Sequence, residues 1–179
     1  MHAQSDAIAA EATQVGTADF DTVFLAHYSR VARVVGRVVR DRGRAEEIAV
    51  DVFLKWRRHH EAQGEHAVGW LYRTAVRMGL DELRRQARRA RFERLIGAVR
   101  AVPPTPEDVR TVRDEQQRVR TVLAGMRRRD ASLLLLRGDG QSYEEVAAAL
   151  GLKSTSVGTL ISRAQRAFRT EYERRYGSH

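Results

Sequence analysis

The sequence predicts an all-α protein in which two small helical domains, a helical bundle and a helix-turn-helix unit, are joined by a flexible linker. Apolar residues recur at spacings of three and four along most of the chain, which is typical of amphipathic helices, and no segment alternates like a strand. All three prolines lie within residues 103–106, where they would interrupt any helix. With 179 residues, 42% of them hydrophobic, the chain is long enough for two small cores.

These observations divide the chain into four segments. Residues 1–17 are small and polar without a sustained apolar period, so we expect a disordered tail there. A first domain follows at residues 18–96, then a linker at 97–106 with the domain boundary near residue 102, and a second domain at 107–176.

Three helices are expected in the first domain. The first begins near Asp19, ends before a break at Gly43, and carries on one stripe Phe20, Phe24, Tyr28, Val31, Val35 and Val38. The second buries Ala45, Ile48, Ala49, Val52, Phe53 and Trp56. An aperiodic loop over residues 59–69 precedes a third helix, which begins near Trp70 and carries most of the chain's excess positive charge.

The second domain is expected to contain four helices. Thr105 and Pro106 start the first, and the apolar run 133–136 marks a buried second helix that ends at residues 137–140. Ser142 and Glu145 form a capping box for a short third helix that ends at Gly151. The fourth packs inward Val157, Leu160, Ile161, Ala164 and Phe168. A short helix, a glycine turn and a second helix predict a helix-turn-helix.

Composition favours a polyanionic partner, either a nucleic acid or a membrane surface. Lys and Arg number 32 against 23 Asp and Glu, a formal net charge of +9. No apolar stretch approaches the roughly 18 residues of a membrane span, and no signal peptide is recognisable, so we expect a cytoplasmic protein. The absence of Cys excludes disulfides and thiolate zinc sites. The histidines 59, 60 and 66 could suggest a metal site, but the chain has no Cys and the acids between these histidines lack a fixed helical geometry, so a solvated loop without metal or cofactor is expected. The sequence contains no recognisable set of nucleophile, base and orienting residue that would indicate an enzyme.

Two stretches are predicted to contact DNA. In a helix-turn-helix the second helix enters the major groove, so the candidate residues are its outward hydroxyls and basic groups: Lys153, Thr155, Ser156, Thr159, Arg163 and Arg166. In the first domain, Trp70 and four arginines at helical spacings form a second stripe: Arg73, Arg77, Arg84 and Arg88. The alternative for the helix-turn-helix is an ordinary helical hairpin with a solvated polar face.

Three motifs together resemble the extracytoplasmic-function (ECF) sigma factors of bacterial RNA polymerase. The motifs are AEEIAVDVFLKWRRH, WLYRTAVRMGLDELRR, and SYEEVAAALGL with SRAQRAFR, and the resemblance runs from about Phe20 to Tyr172. It implies a non-catalytic subunit with a region 2-like and a region 4-like domain. The implied partners are core RNA polymerase, contacted at the clamp helices of the largest subunit and the flap of the second largest, promoter DNA, and an anti-sigma factor that could cover both DNA faces if the domains close.

The resemblance also implies roles for residues of the first domain. An outward face of the second helix would dock on the polymerase clamp: Glu46, Glu47, Asp51 and Lys55. The loop and third helix would capture unstacked bases of the minus-ten element: His60, Gln63, His66, Trp70, Arg73, Arg77, Arg84, Arg85 and Arg88. For the docking face, a merely solvated helix surface is the alternative. For Trp70, core packing is as reasonable as base stacking, whereas Tyr72 is expected to pack.

The sequence departs from the family's usual pattern at three places. Val50 stands where Gln is usual, and Arg77 stands where Asn is usual, so the minus-ten sequence that is read should differ. Residues 158–160 are Gly, Thr and Leu in place of a Lys, Ser, Arg run, so reading of the minus-thirty-five element should differ too.

Two other functions remain open at this point. A stand-alone DNA-binding regulator would use the helix-turn-helix and dimerise through its N-terminal half. An RNA-binding or peripheral membrane protein would use the arginine-rich stretch as a cationic surface.

Overall fold

A computed structural model describes residues 3–59, 62, 64, 66–96 and 107–177, with side chains from residue 20 in the first range and from residue 113 in the last. These residues form seven α-helices and no strand, which confirms the all-α prediction. The helices are α1 (Ala3–Gly36), α2 (Arg42–Arg57), α3 (Ala67–Leu95), α4 (Glu107–Gly125), α5 (Arg128–Gly138), α6 (Tyr143–Leu150) and α7 (Ser154–Tyr176). The predicted linker, residues 97–106, lies outside the described residues, as do Thr105 and Pro106.

The N-terminal segment differs from the expected disordered tail, because the backbone is helical from Ala3. The segment is rich in alanine, the best helix former, and contains no proline that would stop a helix. The break between the first two helices also lies earlier in the sequence than expected. It falls at residues 37–41, and the Asp41 carboxylate caps α2 by accepting a hydrogen bond from the Arg44 backbone N–H at 2.6 Å, so Gly43 lies inside α2.

Helices α1, α2 and α3 pack into the first bundle. All six residues expected on the inner face of α2 are buried, which confirms its predicted orientation. Phe24 of α1 meets Phe53 edge-on, with ring centroids 4.9 Å apart. The Trp56 indole N–H donates to the Ala62 carbonyl at 3.0 Å and so ties the start of the following loop to this core.

Helix α3 is long enough to pack in the bundle with its first half and to extend along the protein surface with its second half. At 1.5 Å per residue its 29 residues span about 43 Å. It begins at Ala67, three residues before the expected start, because part of the predicted loop adds to the helix. One side of its first half is buried in the bundle, and Gly79 packs so close that an added Cβ would lie 3.0 Å from Cγ2 of Val38. The part after residue 86 is exposed except for the half-buried Glu93, which leaves its arginines in solvent.

Helices α4 to α7 form the second unit, with α6 and α7 as the helix-turn-helix. The capping box is confirmed: the Ser142 hydroxyl accepts from the Glu145 N–H at 3.1 Å, and the Glu145 carboxylate accepts from the Ser142 N–H at 2.7 Å. Gly151 ends α6 with a left-handed φ of 65°, a conformation that glycine adopts without strain. The predicted buried run at 133–136 lies in α5, and within this run Leu134 alone is partly exposed.

The two units pack against each other. Buried side chains of both belong to one continuous cluster, and α3 contacts α4, α5 and α6. The backbone of Gly69 in α3 lies so close to α6 that an added Cβ would be 3.2 Å from the Ala148 carbonyl oxygen. In this structure, therefore, the first turn of α3 is covered by the helix-turn-helix.

Candidate nucleic-acid interface

Helix α7 presents one polar face to solvent. Val157, Ile161 and Ala164 anchor its opposite side in the core. All six residues predicted to contact the minus-thirty-five element are exposed: Lys153, Thr155, Ser156, Thr159, Arg163 and Arg166. Lys153 is the N-cap residue and adopts an extended conformation just before the first turn. The structure thus brings these residues onto one continuous basic and hydroxyl-bearing surface, and their contact with DNA stays a prediction.

Sequence reasoning missed Tyr143, which borders this surface. An added Cβ on Gly158 would lie 3.3 Å from Cε2 of Tyr143 and 3.8 Å from both its Cζ and its hydroxyl oxygen. The guanidinium carbon of Arg137 lies 5.5 Å from the centre of the same ring. The glycine inside an otherwise good helix was the available signal, since a helix interior disfavours glycine unless something packs there.

The predicted base-capturing segment is only partly described. His60 and Gln63 lie outside the described residues. His66 is exposed and precedes the first turn of α3 without a side-chain cap hydrogen bond. Trp70 is half-buried: it packs against the core cluster, and its ring lies 5.4 Å from that of His59. The geometry therefore gives Trp70 a packing role while leaving part of its ring accessible.

Tyr72 is buried, which confirms its predicted packing role. Burial raises the pKa of its hydroxyl, although the nearby Arg30 guanidinium opposes this shift. The Arg30 guanidinium carbon lies 5.3 Å from the ring centre. The hydroxyl has no hydrogen bond of normal geometry among the described residues, and the Arg30 guanidinium is the charged group that interacts with it.

The predicted arginines of α3 fall into two groups. Arg73, Arg77 and Arg88 are exposed and form no ion pair among the described residues, so they remain available to a phosphate backbone. Arg84, in contrast, donates to the Ala124 carbonyl at 3.2 Å and to the Met126 carbonyl at 3.0 Å, and so binds the C-terminal end of α4. Its predicted contact with DNA would require this contact to break.

Arg85 is also engaged, since it pairs with Glu82. Glu82 is buried and further accepts from the Gln86 amide at 3.0 Å and from Arg44 Nε at 3.3 Å. Burial alone would raise the pKa of the Glu82 carboxyl, but the hydrogen bonds from these basic and amide groups outweigh burial and lower it. Arg85 is exposed over most of its length, so its guanidinium remains within reach of a ligand.

The predicted polymerase-docking face lies on the outer side of α2 and is less acidic than its sequence suggests. Glu46 pairs with Arg42 at 2.9 Å, and Glu47 pairs with Arg44 at 2.8 Å. Asp51 and Lys55 are exposed. Two apolar side chains lie among these groups, Val50 at 39% and Leu54 at 41% exposure. The face therefore combines charged groups with an apolar strip, a composition that suits a protein partner.

A group of charged contacts joins the two units. The Asp139 carboxylate, with no exposed side-chain surface, lies 3.5 Å from Nε of Arg30, 3.0 Å from Nε of Arg33 and 3.5 Å from Nε of Arg37. Arg30 and Arg33 lie on α1 and Arg37 follows its last residue, and we call these three arginines with Asp139 the interdomain cluster. A second contact is bidentate: Arg128 binds Asp81 at 2.7 and 3.2 Å.

No helix in the described part of the chain combines the length and the apolar character that a membrane crossing requires. Nor do the residues with described positions include a cluster of three or more His, Cys, Asp or Glu suited to a metal ion.

Comparison with known proteins identifies relatives over both units. Residues 23–89 match the family described as Sigma-70 region 2, and residues 116–167 match Sigma-70, region 4. The chain is 28% identical over 174 residues to the ECF RNA polymerase sigma factor SigK of Mycolicibacterium vanbaalenii, covering 93% of this chain and 88% of the relative. It is 30% identical over 167 residues to SigK of Mycobacterium sp. (strain KMS), covering 87% of this chain and 84% of the relative.

Another relative is longer. The ECF RNA polymerase sigma factor SigE of Mycolicibacterium smegmatis is 30% identical over 164 residues, which cover 87% of this chain but only 62% of SigE. Among solved structures, the sigma factor RpoE in complex with the anti-sigma factor NepR from Bartonella quintana matches with a TM-score of 0.50 and 18% identity, covering 87% of this chain and 97% of that chain. At this identity the structural likeness shows the fold alone.

Proposed function

Because this chain belongs to the ECF family of RNA polymerase sigma factors, we propose that it binds core polymerase and directs it to promoters through a minus-thirty-five and a minus-ten element. The observation that carries the proposal is the exposed face of α7. A helix-turn-helix reads duplex DNA with its second helix, and the residues on this face have the short hydroxyls and basic groups that such reading uses. The role requires no catalytic chemistry of the chain itself, and its place is the cytoplasm, where polymerase and promoter meet.

The minus-ten element and the single strand would be held by α3 and the loop before it. Arg73, Arg77 and Arg88 are exposed on this helix, and phosphate contacts by arginine supply sequence-independent affinity. Partly accessible aromatic rings at Trp70 and His59 offer a surface on which an unstacked base can stack. His60, Gln63 and His66 belong to the same proposed site, with Arg84 and Arg85 joining once their present contacts open.

Core polymerase would be held at the outer face of α2, through Glu46, Glu47, Asp51 and Lys55. The apolar strip of Val50 and Leu54 supports this assignment, because buried apolar contacts provide affinity while the surrounding charges select the partner. The polymerase flap is the proposed partner of the second unit. An anti-sigma factor is a further proposed partner, by analogy with the complex in which the related fold of RpoE was solved.

In vitro transcription tests the proposal. A library of promoter sequences would be transcribed by purified core polymerase with and without this protein, and the start sites mapped. We expect transcripts that require the protein and share two upstream elements. Tight duplex binding without any dependent transcript would instead establish a stand-alone DNA-binding regulator. Binding to anionic vesicles that exceeds binding to duplex DNA would favour a membrane-surface role.

The docking face can be tested by matched variants. Leu54→Asp places a charge in the apolar strip and should abolish capture of core polymerase while leaving duplex binding unchanged. Leu25→Asp is the control, since Leu25 is an apolar residue of α1 that is 80% exposed and does not belong to the proposed face. Equal loss of polymerase capture in both variants would contradict the assignment.

A further inference from the structure

A cavity of about 1150 Å³ lies between the two units, where the end of α1 meets α4, α5 and α7. Gly36 and Arg37 form one wall from the first bundle, and the other lining residues that the structure describes belong to the second unit. The volume lies slightly above the usual range of small-molecule sites, about 300–1,000 Å³. The cavity is therefore large enough for a ligand the size of a nucleotide.

Part of the cavity lining is apolar and aromatic. Leu123, Leu134 and Phe168 contribute to it from three different helices. The Phe168 ring is stacked with that of Tyr172 at a centroid distance of 6.0 Å, and the Tyr172 hydroxyl donates to the Glu115 carboxylate at 2.7 Å. The ring pair is thus held in place, and an aromatic face of this kind offers a surface against which a nucleobase can stack.

Three arginines from three elements also line the cavity. Arg37 follows α1, Arg120 lies in α4 and Arg169 lies in α7. Arg169 is exposed and forms no ion pair within the described part of the chain, and Arg37 contacts Asp139 at 3.5 Å through Nε alone. A guanidinium has five N–H donors, so these groups retain donors for phosphate oxygens, which guanidinium groups bind well.

Arg120 is the arginine whose present surroundings suit it least. Its Nε is buried and has no hydrogen-bond partner among the described residues. Burial lowers the pKa of its guanidinium, and the nearby Arg40 lowers it further. No carboxylate pairs with Arg120 in the part of the chain that the structure describes, so its charge is not compensated. An anion bound in the cavity would supply both the missing acceptor and the missing charge.

The cavity also has two carboxylates in its lining, Glu115 and Glu173. Glu115 is already engaged by the Tyr172 hydroxyl and lies 3.9 Å from Arg118. Glu173 is exposed, and its carboxylate can accept hydrogen bonds from hydroxyl groups such as those of a ribose. The lining thus combines an excess of arginine with an aromatic face and an acceptor, which matches the parts of a nucleotide.

We propose that this cavity binds a nucleotide with two or more phosphates, and that the bound nucleotide holds the two units together. Arg37, Arg120 and Arg169 bind the phosphates, and Phe168 packs against the base. Because residues of both units form the site, the ligand binds the closed arrangement and increases its population. The consequence for transcription rests on the proposed function: closure covers the first turn of α3, so the nucleotide opposes promoter binding.

Calorimetric titration of the full-length chain tests the site with ATP, adenosine and tripolyphosphate as probes. ATP should bind most tightly, because it alone contacts both the arginines and the aromatic face. Arg120→Ala should weaken ATP binding about 10-fold or more, the range for a lost hydrogen bond to a charged group. The free energy of unfolding without nucleotide should not fall in this variant, because Nε of Arg120 has no partner to lose among the described residues.

Two further variants separate a built site from general attraction to a basic protein. Arg113→Ala removes an exposed arginine of the same helix that does not line the cavity, and ATP binding should not change. Phe168→Leu should weaken the binding of ATP but not of tripolyphosphate, with native helicity by circular dichroism. Equal affinity for ATP and tripolyphosphate, together with wild-type binding by Arg120→Ala, would overturn the inference.

Amide hydrogen exchange tests the closure. Residues 67–70 form the first turn of α3, which α6 covers and which does not line the cavity. Saturating ATP should slow exchange there in the wild type, whereas the same concentration should have less effect in Arg120→Ala. Unchanged exchange in the ATP-saturated wild type would overturn the claim that the nucleotide holds the units together.

These measurements need neither polymerase nor promoter, so they fail independently of the proposed function. ATP binding at the cavity without any protein-dependent transcript would overturn the sigma-factor proposal alone. Dependent transcripts from a chain that does not bind ATP would overturn the nucleotide site alone.

Discussion

Glu82 is a buried carboxylate whose ionised form the surrounding residues favour. Arg44, Arg85 and Gln86 donate to it and lower its pKa below the ordinary value of 4.5. A carboxylate with a lowered folded-state pKa contributes stability above its unfolded pKa, and this contribution is lost as pH falls through the folded-state value. Acid should therefore remove part of the stability of the first bundle.

Substitution of Glu82 tests this dependence. Glu82→Gln should lower the free energy of unfolding at about pH 7 by roughly 1.5–3 kcal/mol, the range for hydrogen bonds to a charged group, and the deficit should shrink as pH falls below 4.5. Chemical denaturation at several pH values measures it. Glu93→Gln, which removes a more exposed carboxylate whose one ion-pair partner among the described residues is Arg89, should change little at any pH. A deficit of constant size across the pH range would contradict the argument.

At the residue scale, sequence reasoning succeeded where periodicity applies and failed where contacts are individual. The inner face of α2 and the burial of Tyr72 follow from helical spacing. The contact of Tyr143 with Gly158 has no periodic signal, because it joins two helices at one point. For the same reason the engagement of Arg84 by the end of α4 could not be predicted from its place on a basic stripe.

At the scale of elements, the start of α6 was predictable because a capping side chain marks it, whereas the Asp41 cap of α2 was missed. The capping box at Ser142 and Glu145 is this mark. Ser142→Ala should cost about 1 kcal/mol in the free energy of unfolding, measured by thermal or chemical denaturation. Ser156→Ala is the matched control, since Ser156 is exposed and its hydroxyl has no hydrogen bond among the described residues. Equal losses for both would show that α6 does not depend on its cap.

Helix starts without a capping side chain were harder to predict. Neither the first turn of α3 nor that of α7 has a side-chain cap hydrogen bond. The start of α3 was consequently expected three residues too late, at Trp70 instead of Ala67. The helical backbone from Ala3 was not expected, because the segment has no apolar stripe. An alanine-rich segment can nevertheless form a helix without one.

At the scale of the whole molecule, the packing of the two units is the feature that sequence could not reveal. The contact between Arg33 and Asp139 joins residues 106 positions apart. Local patterns carry no information on such pairs. The packing covers the first turn of α3 with α6 and engages Arg84, so the proposed minus-ten site is partly occupied by the protein itself.

We expect the interdomain cluster to control this closed arrangement. Asp139→Asn removes the charge that three arginines share, and so should open the contact. Those arginines are between one third and about 60% exposed, so the loss should be smaller than the roughly 3–5 kcal/mol of a fully buried pair. Because the chain contains no Cys, two engineered cysteines, Leu25→Cys and Thr170→Cys, can carry a donor and an acceptor dye for energy transfer.

The expected result is lower transfer efficiency in Asp139→Asn than in the parent, together with tighter binding to single-stranded DNA of the minus-ten type. Asp51→Asn, an exposed carboxylate of α2, is the control and should change neither measurement. An Asp139→Asn chain with native helicity and unchanged transfer efficiency would show that other contacts hold the units together.

The exposed face of α7 has a consequence for how such a protein can diversify. Thr155, Thr159 and Arg163 take no part in the core, whose residues on the same helix are Val157, Ile161 and Ala164. Mutations on the outer face can therefore accumulate at little cost in folding, and a duplicated gene could acquire a new set of target genes by small steps. Position 158 is different, since an added Cβ there would lie 3.3 Å from the Tyr143 ring, so that a side chain at this position requires the ring to shift.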